Sequence, residues 1–198
     1  MQPTLRLIQA EESSAQGASG SARVVSDAQK QAVVERLSKF LATTPERHRG
    51  QTLRILDLSP ISLSISASLG KAGHAVRVTR LAENEVQAEL MRDADPDAEV
   101  LVTTLDQLQS VNLPEAFDVV HTALVIGSRR ELPLMTALTQ LGRLAESGFV
   151  WTDRVKQHYP LKPKRVRDLA KRVDLGFCAP RKPIGSALFT LSGWRDTL

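Results

Sequence analysis

Leu53-Arg54-Ile55-Leu56-Asp57-Leu58-Ser59-Pro60-Ile61-Ser62-Leu63 is the stretch on which the reading of this chain turns. An apolar run ends in a carboxylate and then turns through Ser-Pro into a segment of helical composition. The first strand, turn and helix of a nucleotide-binding α/β domain begin in this way. Such a turn normally carries glycines, so that backbone can lie against a ligand. Between Asp57 and Leu63 there is no glycine.

Working outward, the near-continuous apolar character of Leu53 to Leu58 predicts a strand buried on both faces of a sheet. Ser62 to Ala72 reads as a helix with Leu63, Ile65 and Leu69 available for packing, closed at Gly73. Alternation of Val76 and Val78 predicts a second strand over Ala75 to Thr79, followed by a helix over roughly 83–92 that the acidic turn Asp93 to Asp97 ends. Val100 to Val102 is a third strand, Phe117 to His121 begins a fourth, and Gly148 to Asp153 is a fifth. Between the last two, Leu134, Leu138, Leu141 and Leu144 repeat on one helical face with Met135 beside them. Pro163 opens a basic helix reaching about Val173, and Ala187 to Leu191 is a last strand that joins the sheet as an antiparallel edge or partner.

Upstream, Ser26 or Asp27 caps a helix whose apolar positions Val33, Val34, Leu37, Phe40 and Leu41 recur at three and four, ending before Pro45. Residues 1–25 read as a flexible tail, because 9–23 are rich in Ser, Gly, Ala and Gln without an apolar period. The regular alternation of strand and helix over 26–198 predicts one α/β domain. Its architecture is a Rossmann-like, doubly wound, mainly parallel sheet with helices on both faces, and its ligand crevice lies beyond the strand C-termini.

Size and composition agree with one domain: 198 residues at 42% hydrophobic content support one well-buried core. No window approaches the roughly 18 apolar residues of a membrane span, and residues 1–20 lack a basic segment followed by an apolar core. The expected location is cytoplasmic. The lone Cys178 excludes an internal disulfide framework and gives no reason to expect a metal site. The chain's net charge is +4, and its positive charge is concentrated from Arg154 to Lys182, which reads either as a solvated basic face or as a surface for an anionic partner. With aromatics at 4%, stacking-based nucleic-acid binding is not expected.

Leu53 to Leu58, then Gly73-His74-Ala75-Val76, then Asp106 followed eleven positions later by Phe117-Asp118-Val119-Val120-His121, resembles a class I S-adenosylmethionine (SAM) dependent methyltransferase. The likeness is strongest to the small-molecule branch typified by ubiquinone and menaquinone C-methyltransferases, and it covers about residues 50–195. It implies SAM as cofactor and a small-molecule substrate. In that family the first turn has the form Asp-x-Gly-x-Gly-x-Gly. Here Asp57 is followed by Ser59, Ile61 and Leu63 at the glycine places, and Pro60 stiffens the turn. An acidic residue of the family that accepts from both ribose hydroxyls corresponds to Arg80, and a guanidinium only donates. Asp106 matches the carboxylate that accepts from the adenine amino group, with a helix cap as its other reading. Asp118 reads as structural.

The cofactor-binding candidates are therefore Asp57, Ser59, Ile61, Arg80 and Asp106, and no catalytic residue is identified. Glu83 is a possible substitute at the ribose. Arg80 reads as a phosphate ligand or as a surface loop residue, and His121 as a core histidine or a base. Asp153, His158 and Tyr159 are the remaining acid/base candidates. Relatives carry extra helices over the substrate that this chain lacks after Asp153. Methyl transfer depends chiefly on positioning, so an eroded cradle weighs more than a missing base. The expected function is a methyltransferase-fold protein that is non-catalytic or weakly active and serves as an accessory or binding protein, with a protein partner or a second copy. The alternatives are an active SAM-dependent enzyme acting on a small molecule, and a basic surface that binds an anionic partner.

Overall fold

Burial on both faces is the rule for the central strands, as the apolar runs require. The computed structural model describes residues 25–104, 107, 117–124, 131–154, 163–181 and 188–195. The expected tail over 1–25 falls almost wholly outside these, as do Asp106, His158 and Tyr159.

The described residues open with α1 (Asp27–Leu41), where Ser26 caps the helix and forms a reciprocal capping box with Gln29. Its expected apolar face is buried at Val33, Leu37, Phe40 and Leu41. After a short 3₁₀ turn (Glu46–His48) come β1 (Leu53–Leu58) and α2 (Ile65–Lys71). Gly73 at φ 82° ends α2, with His74 N–H donating to the Leu69 carbonyl and Gly73 N–H to that of Gly70. This is the left-handed cap that glycine supplies at least cost. The remaining elements are β2 (Val76–Ala82), α3 (Glu85–Ala94), β3 (Glu99–Val102), β4 (Phe117–Ala123), α4 (Glu131–Leu144), β5 (Ala145–Arg154), α5 (Pro163–Arg172), β6 (Ala179–Arg181) and β7 (Leu188–Trp194).

The strands form one seven-stranded sheet in the order β3-β2-β1-β4-β5-β7-β6. β3, β2, β1, β4 and β5 run parallel, whereas β7 pairs antiparallel with both β5 and β6. The final strand is therefore an internal partner, and the edge beyond it is β6, which the sequence pattern does not announce. Pro180 at its centre suits an edge. Two boundaries differ in ways that matter. The second strand runs on to Ala82 and so includes Arg80, and the helix after β1 starts at Ile65 instead of Ser62.

Each face of the sheet carries its own core. One gathers Leu56, Val120, Phe149 and Trp151 with Leu134, Leu138 and Leu141 of α4 and Val166 and Leu169 of α5. The other gathers Ile55, Val78, Val119 and Val150 with Val33 and Leu37 of α1 and Ile65 and Leu69 of α2. Gly193 is required by close packing: a Cβ there would fall within 2.8 Å of Cys178 Cα and closer still to the Phe177 carbonyl.

Candidate functional site

Parallel register sets the geometry at the end of β1. Asp57 pairs with Arg80 of β2 on one side and with His121 of β4 on the other, so the three side chains share a face. All are buried: Asp57 is 1% exposed, and Arg80 and His121 are 0% exposed. Charges held this far from water persist only when paired and hydrogen-bonded.

They are paired with one another. The Asp57 Oδ1 accepts from His121 Nδ1 at 2.6 Å, and its Oδ2 accepts from the Ser59 hydroxyl at 2.6 Å. Arg80 Nε lies 3.2 Å from Oδ2, an ion-pair distance, although its N–H is not aligned for a hydrogen bond. A carboxylate only accepts, so the proton between Asp57 and His121 sits on Nδ1. Burial opposes ionisation of Asp57. The hydrogen bond and charge of His121, the charge of Arg80 and the Ser59 hydroxyl outweigh it and hold the carboxyl below its ordinary value.

The rest of the guanidinium is spent on the turn after β1. Nη2 donates to the carbonyls of Pro60 at 2.8 Å and Ser59 at 3.0 Å, and Nη1 to those of Leu63 at 3.1 Å and Ile61 at 3.4 Å. None of Ser59 to Leu63 adopts positive φ. The turn has thus found a path without glycine, and that path points carbonyl oxygens inward. A phosphate- or nucleotide-binding turn does the reverse and presents N–H groups. The Ile61 side chain packs toward Ala82, Ala88 and Met91 beneath α3.

A second carboxylate occupies the helix end. Asp95 is fully buried, and its Oδ2 accepts from the backbone N–H of Ile65 and Ser66, both at 2.8 Å. Its Oδ1 receives the Ser64 hydroxyl at 3.2 Å and Ala67 N–H at 3.4 Å. Ser64, the residue before α2, makes no side-chain cap of its own. Asp95 therefore satisfies from a distance the first N–H groups of α2, which a bound anion would otherwise take.

The other candidates scatter. Asp118 accepts from Arg54 N–H at 2.7 Å and ties β4 to β1, in keeping with a structural role. Glu83 is exposed, and Asp153 is buried with the Trp151 indole N–H donating to it at 3.3 Å. Arg80, read from the sequence as a phosphate ligand or a surface loop residue, is neither: it lies within β2, buried, with its donors turned on its own chain. The Cys178 thiol is buried, and burial pushes its pKa far up. Among the described residues no cluster of His, Cys, Asp and Glu is arranged to hold a metal ion.

The sequence reading missed the role of Asp95, taken only as part of an acidic turn that ends a helix, and the meeting of His121 with Asp57. The second was within reach. A carboxylate, an arginine and a histidine each sit in an apolar strand, and the 3-2-1-4 order of a doubly wound sheet places those strands side by side.

No family model matches the chain, and no curated protein sequence is detectably similar to it. Solved structures do share its fold. Magnesium protoporphyrin IX methyltransferase from Synechocystis PCC 6803 with bound SAH aligns at TM-score 0.61 and 14% identity over 89% of this chain and 90% of that one. With bound SAM it aligns at TM-score 0.59 and 15% identity over 84% and 79%. The SAM-dependent methyltransferase SibL, in its apo form, aligns at TM-score 0.57 and 16% identity over 85% of this chain and 57% of that one. The architecture is that of class I methyltransferases. The acceptor for a ribose diol and the N–H donors that the resemblance implies at Arg80 and the turn after β1 are not there: this chain has a buried guanidinium and inward carbonyls, which do not fit SAM in the pose the resemblance implies.

Proposed function

We propose that this is a methyltransferase-fold protein whose cofactor cradle is filled by its own side chains. It acts as a non-catalytic or weakly active accessory or binding protein. The observation that carries the reading is Arg80: fully buried, paired with Asp57 and donating to the carbonyls of Ser59, Pro60 and Leu63. For SAM to enter in the usual pose, that guanidinium would have to leave and the turn would have to refold. Moving Arg80 away would strand a buried carboxylate, a cost of about 3–5 kcal/mol. A ligand has to overcome this before it gains any affinity, and each 1.4 kcal/mol weakens binding about tenfold.

A second reading, an active SAM-dependent enzyme acting on a small molecule, is favoured by the solved structures of this fold that hold SAM or SAH. Calorimetric titration of the protein with SAM separates the two. The proposal expects binding no tighter than about millimolar, and a micromolar dissociation constant would sink it. The same titration on Arg80→Asp combined with Ile61→Gly asks whether the cradle can be reopened. Acquired binding would trace the loss to these residues.

A further inference from the structure

The two edges of the sheet carry opposite charge. At the β3 edge, α3 exposes Glu85, Glu89 and Asp93, and its flanks expose Glu83, Asp97 and Glu99. Arg92 is the one basic residue between positions 83 and 99, and it is held 3.6 Å from Glu85. At the opposite edge α5 packs against β6. There Lys164, Arg167 and Lys171 are exposed, and their spacing of three and four places them on one helical face, which stays net basic although the exposed Asp168 shares it. Among the described residues they enter no ion pair. Six strand spacings of about 4.8 Å separate the edges by roughly 29 Å. That is several times the Debye length of about 8 Å at physiological salt, so the two patches cannot neutralise each other within one molecule.

The acidic edge is also apolar. Val86 is 68% exposed and Leu90 51%, one turn apart beside Glu89 and Asp93. The pair forms a small apolar strip set among carboxylates. A face of lysines and arginines complements such a strip, because their methylene stems cover apolar surface while their charged ends reach the surrounding carboxylates.

We propose that the α3 face of one molecule docks on the α5 face of a second copy of the same chain. The two faces differ, so the contact is heterologous: each molecule keeps one free edge of each sign, and association continues into rings or open chains. The inference is independent of whether SAM binds, because neither face includes Asp57, Arg80 or Asp95.

Sedimentation velocity over a range of protein concentrations tests it. The full chain is expected to form species larger than a dimer at about 50 mM salt and to lose at least about tenfold in association constant at about 500 mM. The variant Lys164→Glu/Arg167→Glu/Lys171→Glu and the variant Glu85→Lys/Glu89→Lys/Asp93→Lys should each be monomeric, with far-ultraviolet circular dichroism unchanged. Mixed together they should associate again, since each then offers what the other lacks. A wild-type chain that stays monomeric throughout overturns the proposal, as does association that both variants retain. If the wild type is monomeric but shifts a random DNA duplex, and the α5 variant does not, the basic face serves a polyanion and self-docking is wrong.

Discussion

Arg80 and Asp57 make each other tolerable at 0% and 1% exposure. Removing one partner of such a pair costs about 3–5 kcal/mol, whereas removing both for residues of like volume costs far less. Arg80→Met should therefore destabilise by about 3–5 kcal/mol in urea unfolding, because it leaves Asp57 without its cation and the turn carbonyls without donors. Asp57→Asn should cost less, and the double variant should fall short of the sum by about 1–3 kcal/mol. Additivity to within about 0.5 kcal/mol would mean that the ion pair is not what holds the turn. The same carboxyl has a pH signature. Its folded pKa is lowered, so its contribution is complete above the unfolded value of about 3.9 and is lost as pH falls through that value toward the depressed one. Unfolding free energy measured from pH 6 to pH 3 should drop more steeply in the wild type than in Asp57→Asn, and parallel curves would exclude Asp57 as the source.

At the scale of elements, the turn after β1 and the start of α2 show what the sequence could and could not convey. β1 was legible to the residue because a strand buried on both faces is a continuous apolar run, and Gly73 announced the end of α2. The start of α2 was not. A helix was expected from Ser62, but its first turn is given up where the carbonyls of Ser59, Pro60, Ile61 and Leu63 face Arg80, and its N-terminus is capped by Asp95 from thirty residues downstream. Local pattern cannot encode a cap supplied by the C-terminal end of another helix. The absent glycines marked a turn without positive-φ positions; the internal cation that its carbonyls face became visible only with the registers of β1, β2 and β4. If Asp95 is the true cap, Asp95→Ala should cost about 2 kcal/mol or more, since it strands buried N–H groups of Ile65 and Ser66. Asp95→Asn should lose clearly less, because one amide oxygen still accepts. Thermal unfolding of the two variants gives the comparison, and equal losses would assign the effect to charge instead of capping.

The whole molecule is one sheet with a separate core on each face, and the chain's two tryptophans sit on opposite faces. Trp151 of β5 is fully buried, with its ring edge-on to Phe189 at 4.7 Å, beneath α4 and α5. Trp194 of β7 stacks on Phe40 of α1 at 4.3 Å across Gly148, joining the first helix to the last strand. The two cores are not independent, because the same strands wall both. β7 is inserted between β5 and β6, so neither face can be completed until the last strand has paired. Both cores are therefore expected to melt together, although a chain of this length often unfolds through intermediates. Trp194→Phe leaves Trp151 as sole reporter, and Trp151→Phe leaves Trp194. After allowance for the stability cost of each substitution, their fluorescence transitions in urea should coincide with each other and with the loss of helical circular dichroism. An earlier transition at Trp194 would reveal that α1 and the end of β7 come away as a unit while the α4–α5 face persists. In that case the packing of Phe40 on Trp194 would be a peripheral clasp, and the sheet would not be the single cooperative body its topology implies.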